Sequence, residues 1–132
     1  MALTVTPLGP VGAQITGLDV RAAIPPEAAA ALKAAFLKHH VLIVRDQVLN
    51  EAQQVAFAGA FGTVEHAREQ SVIAERPETM IISNIRIDGK DVGRLPDGEV
   101  QWHFDKMYYP EPNMAAVGAL GLTVRKSLRV AA

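Results

Sequence analysis

No cysteine occurs anywhere in the 132 residues, which excludes disulfides, thiolate zinc sites and cysteine nucleophiles. Any metal must therefore be held by nitrogen and oxygen donors. No apolar run approaches the roughly 18 residues needed to span a bilayer. The start, Met1-Ala2-Leu3-Thr4, lacks the basic residues and long apolar stretch of a secretory signal. A cytoplasmic location is the resulting expectation. Net charge of either sign is also missing: 13 Lys and Arg against 14 Asp and Glu leave −1. Nothing electrostatic points to nucleic acid or to an anionic membrane as a partner, so small substrates and other proteins become the default. No internal repeat is present, and the one compositional bias is the alanine of residues 28–35.

What is present is a chain able to fold. Hydrophobic residues make up 49%, and the mean hydropathy is +0.13, values of a globular protein of one domain's length. Leu3-Thr4-Val5-Thr6 alternates apolar and polar residues, residues 7–12 interrupt with proline and glycine, and Ala13 to Leu18 resumes the alternation. Two short strands joined by a turn are expected. Leu32, Ala35, Phe36 and His39 recur at helical spacing after Pro25-Pro26, which predicts a helix over 27–39. Val41-Leu42-Ile43-Val44 then reads as a strand buried on both faces.

Asn50 and Gln53 have the spacing of a capping box, so a second helix is predicted from residue 50. Its apolar face would hold Val55, Ala58 and Phe61, with Gly62 ending it in the left-handed conformation. Met80 to Ile85 reads as a further strand and Asp88-Gly89 as a turn. The glycine-rich stretch 88–98 is expected to be a mobile loop leading into Glu99 to Asp105.

Within that last stretch lies Trp102-His103-Phe104-Asp105. On a strand, residues two apart share a face, so Gln101, His103 and Asp105 project one way while Trp102 and Phe104 project the other. Imidazole and carboxylate suit divalent iron, and a site of two histidines and one carboxylate keeps positions open for co-substrate and oxygen. Composition alone supplies about 0.2 chance His-x-Asp matches in a chain of this length, so the tripeptide decides nothing by itself. A His–Asp hydrogen bond inside a sheet is the plain alternative.

The surrounding sequence resembles a family. Gly12-Ala13-Gln14-Ile15-Thr16-Gly17-Leu18-Asp19, Phe36 to Gln47, Phe57-Ala58-Gly59-Ala60-Phe61-Gly62, Ser83-Asn84 and Trp102-His103-Phe104-Asp105 follow the order and spacing of the taurine dioxygenase-like (TauD/TfdA) family, over about residues 3–114. The resemblance implies an α+β chain, the N-terminal portion of a double-stranded β-helix (jelly roll) with two helices. It implies Fe(II) as cofactor, 2-oxoglutarate and O₂ as co-substrates, and hydroxylation of a small substrate, anionic in many members, as 2-oxoglutarate is decarboxylated to succinate.

By that resemblance His103 and Asp105 are iron ligands. His66 and Glu99 fall near positions that meet substrate in some members, and Asn84 ends a strand that the family places beside the iron-bearing segment, which makes it a candidate pocket residue. The bland readings are a surface histidine for His66, a turn hydrogen bond for Asn84 and a solvated edge for Glu99. His39 and His40 end the first helix, where a cation meets the helix dipole favourably, and are read as structural. Arg45 and Asp46 serve the turn from strand to helix.

Past Met114 the resemblance stops. The family's glycine-rich turn, its distal histidine and its co-substrate arginine have no counterpart in residues 115–132, and Thr123, Arg125 and Arg129 lie in no matching motif. The division expected is 1–114 as the front of a dioxygenase domain and 115–132 as a non-matching tail, left by a frameshift or early stop. A catalytically inactive remnant or interaction module is the competing reading. A jelly roll lacking strands would expose sheet edges, which predicts self-association.

Overall fold

A computed structural model describes residues 2–66, 76–93, 110, 112–120 and 125–131, and the chain divides into two compact units, 1–61 and 62–132. The first unit opens with β1 (Thr4–Pro7) and β2 (Ala13–Thr16), an antiparallel pair in register from Thr4↔Thr16 to Pro7↔Ala13. Alternation in sequence thus gives alternation in burial, Ala13 and Ile15 lying inside while Thr16 is exposed.

Helix α1 (Pro26–His39) starts without a side-chain cap, and Pro26 in its first turn has no amide hydrogen to leave unsatisfied. Its buried residues are Leu32 and Ala35. His40 ends it in the left-handed conformation at φ 65°, its amide donating to the Phe36 carbonyl at 2.7 Å. The carbonyl of His39 accepts from Gly12 N–H at 2.9 Å, tying the helix end to the β1–β2 turn.

The chain continues into β3 (Leu42–Val44), parallel to β2 in a sheet of order β1-β2-β3. Here the expectation of full burial fails. All three residues of β3 are only half-buried and Val41 is 48% exposed. The reason is position: among the described residues β3 pairs with β2 alone, as an outer strand. An apolar run shows that a segment can be buried, and its place in the sheet decides whether it is.

Helix α2 (Glu51–Ala58) carries the predicted capping box, with Gln53 N–H donating to Asn50 Oδ1 at 2.8 Å and Asn50 N–H to Gln53 Oε1 at 3.0 Å. Its inner face differs from the expected one. Glu51, Gln54, Phe57 and Ala58 are buried, and Val55 is only half-buried. Phe61 is buried as expected and stacks edge-on with Phe57 (5.7 Å) and Phe36 (5.9 Å). Gly62 does not end the helix. α2 closes at Gly59 in right-handed geometry, and tight turns from Ala60 N–H to Phe57 and Phe61 N–H to Ala58 carry the chain on.

In the second unit β4 (Met80–Ile82) lies beside a hairpin made of β7 (Asn113–Leu120) and β8 (Arg125–Ala131), in the order β4-β8-β7 with antiparallel pairing throughout and a bulge between Asn113 and Ala115. Most of residues 115–131 is therefore strand. β5 (Arg86–Ile87) and β6 (Lys90–Asp91) form a separate two-stranded hairpin. Asp88 (φ 51°) and Gly89 (φ 74°) both take the positive φ of a type I′ turn, as their sequence predicts. The expected strand over 80–85 is shorter, because a local turn takes over at Ser83. The described part of the expected mobile loop, 88–93, is the end of this hairpin and a buried Val92. No helix among the described residues is long and apolar enough to cross a membrane.

Candidate metal and substrate site

β4 brings the chain to the part of the candidate site that the structure describes. Ile81 is 1% exposed and anchors the strand. At its end Ser83 is also buried, and its Oγ accepts the Ile85 N–H at 3.1 Å, forming the turn that stops β4. Asn84 sits in the middle of that turn, exposed. The turn hydrogen bond weighed for Asn84 is thus made by its neighbour, and the Asn84 side chain has no hydrogen-bond partner among the described residues.

The chain leaves for the β5–β6 hairpin and returns to the same place. Arg86 Nε and Asp91 Oδ1 pair across the hairpin at 2.7 Å, both largely exposed. Val92, 4% exposed, donates its amide to the Ile85 carbonyl at 2.9 Å. Gly93 then lies against the backbone of β4. A Cβ added there would stand 2.6 Å from Ser83 N and 2.7 Å from the Ile81 carbonyl oxygen. Neither Ser83 nor Gly93 was singled out from the sequence for its own role. Serine at a strand end followed two residues on by an apolar amide is a signal for the turn, whereas the approach of Gly93 has no local signal.

His66 is exposed, in the stretch following Phe61. Its charge is one of several influences on Glu78, whose carboxyl is held below the usual glutamate range. The largest cause is a hydrogen bond from its own backbone amide, followed among the lowering effects by Arg76, with His66 smallest and burial opposing. Arg76 Nε lies 3.4 Å from Glu78 Oε2. The carbonyl of Arg76 accepts from Thr79 Oγ1 at 2.9 Å, which fixes the approach to β4.

His103, Asp105 and Glu99 lie outside the described residues, as do Gln101, Trp102 and Phe104. Of the five candidate residues, His66 and Asn84 are therefore placed, both exposed and both in the second unit. Among the described residues no group of three or more His, Asp or Glu is gathered as a metal site. His39 and His40 lie at the α1 end, where their backbone groups hydrogen-bond with Gly12, Val41 and Phe36, and Asp46 takes φ 59° in the turn after β3, where Gln47 Oε1 accepts from Val20 N–H at 3.3 Å.

Comparison with known proteins places the chain. The sequence model of the taurine catabolism dioxygenase TauD, TfdA family matches residues 4–117. The chain belongs to the TauD/TfdA family. Among its relatives, an (S)-phenoxypropionate/alpha-ketoglutarate-dioxygenase of Delftia acidovorans is 33% identical over an alignment of 126 positions that takes in 87% of this chain. A protein of the same description from Sphingobium herbicidovorans is 34% identical over 94 positions. The chain spans 40% and 29% of their respective lengths.

TauD/TfdA structures also share its fold. A taurine dioxygenase from Burkholderia xenovorans superposes with a TM-score of 0.67 at 26% identity, over 88% of this chain and 39% of that one. AAD-2, crystallised with Mn(II) and N-oxalylglycine, gives 0.67 at 29% identity over 86% and 43%. These neighbours are jelly-roll dioxygenases of a family that depends on Fe(II) and 2-oxoglutarate, and the α+β chain with its two helices matches part of them.

Proposed function

We propose that this chain is the N-terminal part of an Fe(II)- and 2-oxoglutarate-dependent dioxygenase that hydroxylates a small anionic substrate while 2-oxoglutarate is decarboxylated to succinate. The observation that carries this reading is the family match across 4–117, which encloses His103-x-Asp105. The relatives described as phenoxypropionate dioxygenases favour a 2-aryloxycarboxylate as the substrate class. In this reading residues 1–114 are the front of a double-stranded β-helix, 115–132 are a tail of which the family match takes in 115–117, and the protein works in the cytoplasm.

The donor set fits the metal. His103 offers an imidazole nitrogen and Asp105 a carboxylate oxygen, the pair a borderline-hard divalent iron accepts in an otherwise cysteine-free chain. Bound iron supplies the centre at which O₂ and 2-oxoglutarate react. The chain's own residues do the rest: His103 and Asp105 hold the ion, while His66, Asn84 and Glu99 contact and orient the substrate. A two-histidine, one-carboxylate set takes one more imidazole than His103 and Asp105 supply, from elsewhere in the protein or from a second copy. Self-association through sheet edges belongs to the same proposal, because β1 and β3 are outer strands of the first sheet among the described residues.

Anaerobic titration with Fe(II) and 2-oxoglutarate tests the proposal, since a competent site gives a metal-to-ligand charge-transfer band. His103→Ala is expected to weaken iron binding at least about 100-fold, more than loss of a supporting residue would. Addition of O₂ and 2-phenoxypropionate should then yield succinate. A parent chain with neither band nor succinate speaks for the inactive remnant instead, and iron binding unchanged in His103→Ala removes the assigned ligand.

A further inference from the structure

The backbone on either side of Asn84 is tied down more firmly than an exposed turn requires. Ser83 is 5% exposed and its Oγ takes the Ile85 amide, while the Ile85 carbonyl takes the Val92 amide. Gly93 closes the arrangement from the other side, so near β4 that an added Cβ would fall within 2.9 Å of Ser83 Cβ as well as against the two backbone atoms. Contacts under 3.0 Å with backbone cannot be relieved by a side-chain rotation, so only glycine permits this approach. Between these fastenings the Asn84 carboxamide is exposed and has no hydrogen-bond partner among the described residues. A polar side chain left uncommitted on a fixed backbone is the arrangement that presents a group to a ligand at low ordering cost.

We propose that Gly93 is a positioning residue for Asn84: its close approach to Ile81–Ser83 locks the Ser83–Ile85 turn and so fixes where the Asn84 carboxamide meets a carboxylate-bearing substrate. This rests on the reading of Asn84 as a substrate contact. The carboxamide N–H₂ donates to the substrate's oxygen, and Gly93 touches no substrate itself. A turn free to shift would spread the carboxamide over several positions and lose affinity without loss of any contact group.

The test is a double-mutant cycle on the full chain loaded with Fe(II) and 2-oxoglutarate without oxygen, with 2-phenoxypropionate as the probe. Asn84→Ala and Gly93→Ala are each expected to weaken probe binding about tenfold, and the double variant no further than Asn84→Ala, because coupled groups are non-additive. The charge-transfer band should keep its intensity in all three. Ser83→Ala adds no atom and so avoids any clash; it should weaken the probe several-fold, and likewise add nothing to Asn84→Ala. Losses that multiply in the double variants mark Gly93 and Ser83 as merely structural and overturn the inference. So does parental affinity in both Gly93→Ala and Ser83→Ala. A band without probe binding in the parent removes the Asn84 reading and this inference with it, and no band in the parent removes the proposed function itself.

Discussion

Gly17 turns the chain after β2 with φ 78°, and a Cβ there would run into the Ala2 carbonyl. Left-handed geometry and a backbone obstacle act together, so Gly17→Ala is expected to destabilise the chain by about 1–3 kcal/mol, read as a lower urea midpoint at unchanged slope. Charge works differently at this scale. Asp19 is held down to about 2, first by the side chain of Arg21 at 2.7 Å and then by its backbone amide, yet the pair is exposed and salt will screen it.

Glu78 is the more consequential carboxylate, because its side chain is only 15% exposed. Its folded pKa lies below the ordinary glutamate value. The stabilisation is therefore fully present above the unfolded glutamate range and is lost as pH falls through the folded value. Glu78→Gln should unfold more easily than the parent at pH 7, and the gap should close on acidification. Denaturation at stepped pH measures this, and a gap that widened towards acid would contradict the assigned sign.

Among elements, α2 shows what a short segment can and cannot announce. Its N-terminus is fixed by two reciprocal hydrogen bonds between residues three apart, and Asn50→Ala should cost about 1 kcal/mol, with loss of amide-exchange protection confined at first to the start of the helix. Signals of this range were legible: the Asn50–Gln53 box, Pro26 at the start of α1 and the Asp88-Gly89 turn each depend on neighbours in sequence. The inner face of α2 was not, because Glu51 and Gln54 are buried by tertiary surroundings that override their polarity. β3 shows the same limit in reverse, its apolar residues half exposed at a sheet edge. Of the candidate site, the family motif was readable in sequence, but Gly93 meets β4 ten residues away along the chain after an intervening hairpin. Such an approach leaves no trace in local pattern.

At the scale of the molecule, the described apolar core of the first unit is drawn from a single stretch of chain. Its buried apolar residues Ala13, Ile15, Val20, Leu32, Ala35, Phe57, Ala58 and Phe61 all come from residues 1–61. The bonds joining its elements are internal too, among them Gly12 to His39, Ala13 to Val41 and Val20 to Gln47. A segment of about 60 residues buries only about 60% of its unfolded surface, so its stability should be small. Residues 1–61 produced alone are expected to show a helical circular-dichroism signal and one cooperative melt, with a stability of a few kcal/mol. Leu32, fully buried against this core, sets the threshold: Leu32→Ala costs about 2–5 kcal/mol and should leave the fragment largely unfolded. A fragment without a cooperative melt would show that the first unit depends on residues 62–132, whereas a folded parent fragment that tolerated Leu32→Ala would show that α1 is not its core.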